Sequence, residues 1–171
     1  PYFMFVTIFK QELKYWFKKP AFYIYLSIFF LLSIFAASSA AGIFDSLTVS
    51  TGSASKVNSP IGVNGLFNGM AFLIYFFLPS IVGVSTYRDY KSNMHSILYS
   101  YPFTKSNYLL AKFLSSILVT ILILLGVGIG LIIGFRMPGT NPELIINFNI
   151  IPYLQTYLVY VIPNVLLFGA I

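Results

Sequence analysis

An all-α integral membrane protein is the fold class this sequence predicts, and three observations predict it. Apolar residues make up 58% of the 171 and charged residues only 8%, against about a quarter in soluble domains, and the mean hydropathy is +0.86. Uncharged windows run from Pro20 to Phe44, Val57 to Tyr87, Phe113 to Phe135 and Leu144 to Ile171, each longer than the roughly 20 residues that cross a bilayer core as a helix. The few charges gather between those windows. A single membrane domain over residues 1–171 is therefore expected, with transmembrane helices at 21–44, 66–85, 108–135 and 150–171. The second is trimmed to 66–85 because Ser, Thr and Gly dominate residues 45–65, which read as a loop.

Residues 1–20 come first. Phe5, Ile8, Phe9, Leu13, Trp16 and Phe17 recur at helical spacing, while Lys10, Lys14 and Lys18 form an i, i+4, i+8 stripe elsewhere on the same helix. Such a segment is expected to lie flat as an interfacial amphipathic helix. Its apolar side chains dip below the headgroups, and Lys10, Lys14, Trp16, Lys18 and Lys19 anchor it at the membrane surface. Pro20 ends this helix or turns it into the first span. A full-length apolar span behind a basic segment is not the pattern of a cleavable signal peptide.

Within the spans, Pro79 and Pro163 each remove a backbone donor and kink the helix; ordinary packing tolerates such prolines in membranes as well as hinge motion does. The third span contains "GVGIGLIIG", in which Gly126, Gly130 and Gly134 fall at four-residue intervals on one face. Two successive small-xxx-small steps let another helix backbone come close. That face is expected to meet protein, either a helix of this chain or one of a second copy.

Between the second and third spans, residues 86–107 collect Arg88, Asp89, Lys91, His95 and Lys105. From Asp89 to Tyr101 the apolar Met94, Ile97, Leu98 and Tyr101 sit at i, i+3, i+4 and i+7 among polar residues, the pattern of a short amphipathic helix. Pro102 stops it, and Ser106 or Asn107 is placed to cap the helix that continues into the third span.

Chemistry of a catalytic kind has no foothold. His95 is the sole histidine, the four carboxylates Glu12, Asp45, Asp89 and Glu143 are scattered along the chain, and there is no cysteine, so neither a metal set nor a nucleophile, base and orienter triad is suggested. No Walker loop is present, and no ionisable residue lies near the middle of a span, as a proton relay would require. The chain is expected not to be an enzyme and to hold no cofactor. Its net charge of +6 flanks apolar spans, so the partner it implies is the lipid bilayer and not nucleic acid.

The order of interfacial helix, span, loop, span, charged segment and the passage "SYPFTKSNYLLAKF" into a third span resembles the permease subunits of type-two ATP-binding-cassette exporters. Asp89, Pro102, Lys105, Tyr108, Leu109, Leu110, Ala111 and Lys112 match that family's positions; its usual glutamate is Asp89 here, and the Gly-Thr that follows it is absent. The resemblance implies that Asp89, Met94, Ile97, Leu98 and Tyr101 form a coupling helix docked on a separate ABC-type ATPase, which would hold the ATP and magnesium. It also implies a second permease half or copy as partner, a bacterial inner-membrane location, and a six-span half of which these four spans are expected to be a fragment. The stretch "FKQELKYWFKKPAFYIY" is further similar to permeases joined to a zinc aminopeptidase-like domain. A non-transporting scaffold or accessory subunit, or the anchor of such a fusion, is the alternative reading of the same spans.

Orientation follows from Lys and Arg. Counted over the N-terminal segment, first connection, second connection with its flank and third connection, they number four, one, four and one. Basic short loops stay in the cytoplasm, so the N-terminus and residues 86–107 are expected inside. Introduced cysteines test this. Ser53→Cys and Asn141→Cys are expected to react with an impermeant thiol reagent added to intact cells, and Ser92→Cys to stay unlabelled; labelling of the last from outside reverses the orientation.

Overall fold

The computed structural model describes residues 2–44, 56–91 and 105–170, and among these there is no strand. Helix α1 (Tyr2–Lys18) is followed at once by α2 (Pro20–Ala40); then come α3 (Pro60–Lys91), α4 (Lys105–Gly134), a 3-10 turn (Pro142–Leu144), α5 (Ile151–Thr156), a π-helical segment (Tyr157–Val161) and α6 (Ile162–Ala170). Among the described residues, four helical stretches are long and apolar enough to cross a membrane: Pro20–Ala40, Pro60–Pro79, Ser106–Gly134 and Ile151–Ala170. This is an all-α, multi-pass membrane protein.

The ends of these helices differ from the expected ones for local reasons. Gly42 takes a φ of 79° and closes α2: its N–H donates to the Ser39 carbonyl and the next N–H, of Ile43, to that of Ser38. This double bond pattern is a Schellman stop, so the helix finishes at Ala40 although the apolar run continues to Phe44. The helix α3 begins at Pro60, six residues before the expected Leu66. Ser59 caps it by accepting from the Gly62 N–H at 3.2 Å, and Pro60 brings a pre-set φ to the first turn. At Gly62 a Cβ would lie 2.2 Å from the Val57 carbonyl oxygen, so only glycine lets the chain turn back so tightly. Composition alone makes this stretch a loop; cap, proline and close approach make it helix.

At its other end α3 runs on through Arg88 and Asp89 to Lys91. Asp89 thus belongs to the last turn of α3 and does not open a new helix. Met94, Ile97, Leu98 and Tyr101 lie outside the described residues, as do His95 and Pro102. The helix α4 is already under way at Lys105, so Ser106 and Asn107 are not its caps. The fourth span departs from simple α geometry: the Ile162 N–H donates to the carbonyl of Tyr157, five residues back. Pro163 follows with no N–H to offer the Val159 carbonyl, and the wider π turn accommodates that missing donor.

Packing centres on α4, which touches α1, α2, α3 and α6. Gly126, Gly130 and Gly134 face α2 of the same chain, opposite Leu26, then Phe30 and Ser33, then Ile34 and Ala37. Both helices run in the same direction along this seam. Gly128 faces α3 instead, under the Phe67 ring, so glycines thin α4 on two sides. Tyr157 donates its hydroxyl to the Ile121 carbonyl at 2.5 Å, and Tyr75 stacks on Phe168 with centroids 4.4 Å apart, which secures the fourth span to α3 and α4. Outward faces are apolar, with Leu31, Phe72 and Phe76 well exposed, as surfaces meeting lipid are.

The end of the bundle away from α1 is closed by hydrogen bonds between connections. Val57 N–H donates to the Leu144 carbonyl at 2.9 Å, and Asn141 N–H to that of Ala41 at 2.9 Å. Asn58 imitates a strand neighbour: its amide nitrogen donates to the Ile146 carbonyl at 2.7 Å and its amide oxygen accepts from the Ile146 N–H at 2.8 Å.

A Cβ at Gly130 would stand 2.0 Å from Ser33 Oγ and 2.8 Å from the Phe30 carbonyl oxygen, and backbone cannot step aside as a side chain can. Gly130→Ala is therefore expected to destabilise the bundle by ~1–3 kcal/mol, read as a lower thermal midpoint in detergent. Gly69→Ala, where nothing lies within 4 Å, is the control and is expected to be neutral or slightly stabilising because alanine favours helix.

Candidate functional site

Along α1 the residues Phe5, Ile8, Phe9, Leu13 and Trp16 define one face, and Glu12 lies on it, a turn beyond Ile8 and a turn before Trp16. The structure turns this face toward protein. Trp16 is 4% exposed and part of the core, so the expected place of its ring in a lipid-facing belt is corrected: it packs inside the bundle, since α1 lies against α4 and α2. Lys10, Lys14 and Lys18 are exposed on the other side of the helix, while Lys19 is half-buried.

Glu12 is consequently carried into the interior, where it is 5% exposed, and two cations meet it there. Arg88, in the last turn of α3, brings Nη2 to 2.5 Å from Glu12 Oε1. Lys112, from α4 and only 2% exposed, brings Nζ to 3.4 Å from the same oxygen. One carboxylate oxygen thus joins three helices that are far apart in sequence. Aromatic rings complete the lining: the Arg88 guanidinium lies 3.9 Å from the centroid of Tyr15, Lys19 Nζ lies 4.4 Å from that ring, and Lys112 Nζ lies 5.0 Å from that of Tyr108. The hydrogen bond with Lys19 holds the Tyr15 phenol below its ordinary value of 10.0; burial opposes this and Arg88 adds to the lowering.

The location of the cluster gives it meaning. Arg88 stands one turn before the end of α3, and Lys112 two turns after the start of α4, so the pair brackets residues 92–104 from both sides. Sequence reasoning assigned Arg88 and Lys112 to the basic flanks of spans and counted Glu12 among scattered carboxylates. A signal was present: Glu12 interrupts an apolar face where every neighbour at i±4 is hydrophobic, and a charge in that position needs a partner. Among the described residues no three His, Cys, Asp or Glu side chains come together to hold a metal ion.

Comparison with known families matches residues 61–171 to the model of the ABC-2 family transporter protein. The chain belongs to the ABC-2 transporter family. No curated protein and no solved structure gives a significant match. The matched region covers α3 from its second residue, residues 92–104, α4 and the fourth span, so this ABC-2 membrane domain includes Arg88 and Lys112, whereas Glu12 arrives from the helix ahead of it. Membership makes the chain a transport permease that works, in general terms, with an ABC ATPase.

Removing the Glu12 carboxylate takes an acidic partner from the buried Lys112 and the half-buried Arg88, and breaking a buried pair in this way costs on the order of 3–5 kcal/mol. Glu12→Leu is expected to lower the thermal midpoint of the detergent-solubilised protein markedly. Lys14→Leu, on the exposed side of the same helix, is expected to change stability by less than about 0.5 kcal/mol.

Proposed function

We propose that this chain is the membrane-spanning permease subunit of an ABC exporter in a bacterial inner membrane, with α1, Arg88 and Lys112 on the cytoplasmic side. A separate ATPase binds ATP and magnesium and performs the hydrolysis; this chain transmits the resulting motion to its spans and has no catalytic step of its own. A second permease half or a second copy completes the translocation path. The observation that carries the reading is the junction at which Arg88, near the end of α3, and Lys112, near the start of α4, share the Glu12 oxygen. A push delivered there reaches the helix that touches α1, α2, α3 and α6. The basic count of that side and the exposed Lys10, Lys14 and Lys18 support a cytoplasmic placement against anionic lipid.

On this reading the ATPase grips Met94, Ile97, Leu98 and Tyr101, the apolar set of the segment, with Asp89 at its approach. Replacing Leu98 by Asp puts an unpaired charge into that contact, which is costly to bury. Leu98→Asp is expected to abolish co-purification of the ATPase and transport, while membrane insertion of the four spans is unchanged; Ser92→Asp is expected to leave both intact. If Leu98→Asp retains both activities and Ser92→Asp loses them, the docking face is a different one. If no ATPase co-purifies with the wild type, the chain is a scaffold.

A further inference from the structure

We infer that Glu12 is a positioning residue for transport: through its single shared oxygen it makes α1 and the two ends of the coupling segment move as one body. The inference rests on the permease reading above and adds what that reading leaves open, namely what ties the end of α3 to the start of α4. A segment bracketed by two helices can move the end of one and leave the other behind. Here the α3 end, through Arg88 at 2.5 Å, and the α4 start, through Lys112 at 3.4 Å, are both bound to Glu12 Oε1. Glu12 sits on α1, outside the membrane spans, and α1 in turn packs on α4 and α2. The carboxylate offsets the repulsion between the two like charges that it draws together.

A merely structural account of the same cluster is that it fills space and holds the fold together. Physical chemistry separates the two accounts. Buried ion clusters are poor stabilisers compared with apolar side chains of similar volume, and replacing all members together is often neutral or stabilising. An all-apolar junction therefore preserves the packing and removes only the directional, charge-assisted bonds. Tyr15 and Tyr108, whose rings face the two cations, stay in place in such a variant.

The test uses the full chain in complex with the ATPase that co-purifies from its native host, as wild type and as Glu12→Leu/Arg88→Met/Lys112→Met. Spin labels are placed on exposed positions in two pairs, Lys10 with Lys91 and Lys10 with Leu109, and distances are recorded with and without magnesium ATP. In the wild type both distributions are expected to keep their width when ATP is added. In the apolar variant the thermal midpoint and the amount of bound ATPase are expected to match wild type, while ATP at least doubles the width of both distributions. Wild-type widths in that variant overturn the inference and leave the cluster a packing feature. Should the triple variant fail to assemble, Glu12→Gln, which keeps the shape and loses the charge, is measured with the same label pairs and the same two outcomes. Absence of any ATPase from the wild-type preparation is a different failure: it removes the permease reading, and this inference with it.

Discussion

Water gives helices inside a bilayer no reason to associate, so contact distance has to replace the hydrophobic drive, and in this protein the closeness of α4 to α2 supplies it. Gly130 and Gly134 bring the α4 backbone against Ser33 and Ala37, and Ser33 turns its hydroxyl back to the Phe30 carbonyl at 2.7 Å, so the seam is close and this hydroxyl is satisfied within it. The rest of the bundle leans on α4 as placed by that seam. Phe67 of α3 settles over Gly128, Gly169 of α6 meets Ile117, and Tyr157 reaches the Ile121 carbonyl. A central helix thinned on two sides lets α2 and α3 approach closely, while α6 meets its side chains, as Gly169 does Ile117.

The two ends of this bundle are closed by different physics. Away from α1, the connections hydrogen-bond through backbone groups, with Asn58 pairing both backbone groups of Ile146 and the Lys56 ammonium donating to the Glu143 carbonyl. Arg136 lies over the Phe148 ring, 4.2 Å from its centroid. At the α1 end the closure is ionic and is buried with Glu12.

Family membership and geometry also divide along the chain. The matched region begins at residue 61, so α3, residues 92–104, α4 and the fourth span form the recognisable transport unit, with two cations pointing at a carboxylate that this unit does not contain. The helix α1 supplies it. With α1 in place, Arg88 and Lys112 share its Glu12 oxygen and make up two thirds of a three-residue cluster.

Composition and period were enough to determine an all-α membrane protein with four spans, because apolar length and charge spacing are properties of consecutive residues. The same local logic located the glycine face of α4 and the amphipathic character of α1. Helix ends escaped it where they depend on a few bonds: the Gly42 stop, the Ser59 and Pro60 start, and the π turn before Pro163. The partner of the glycine face and the burial of Trp16 escaped it because both depend on which helices become neighbours. The junction of Glu12, Arg88 and Lys112 is the clearest case. Each residue alone is an ordinary charge near the end of an apolar run, and only the fold, by packing α1 across α4 beside the end of α3, brings two cations distant in sequence onto one oxygen of Glu12.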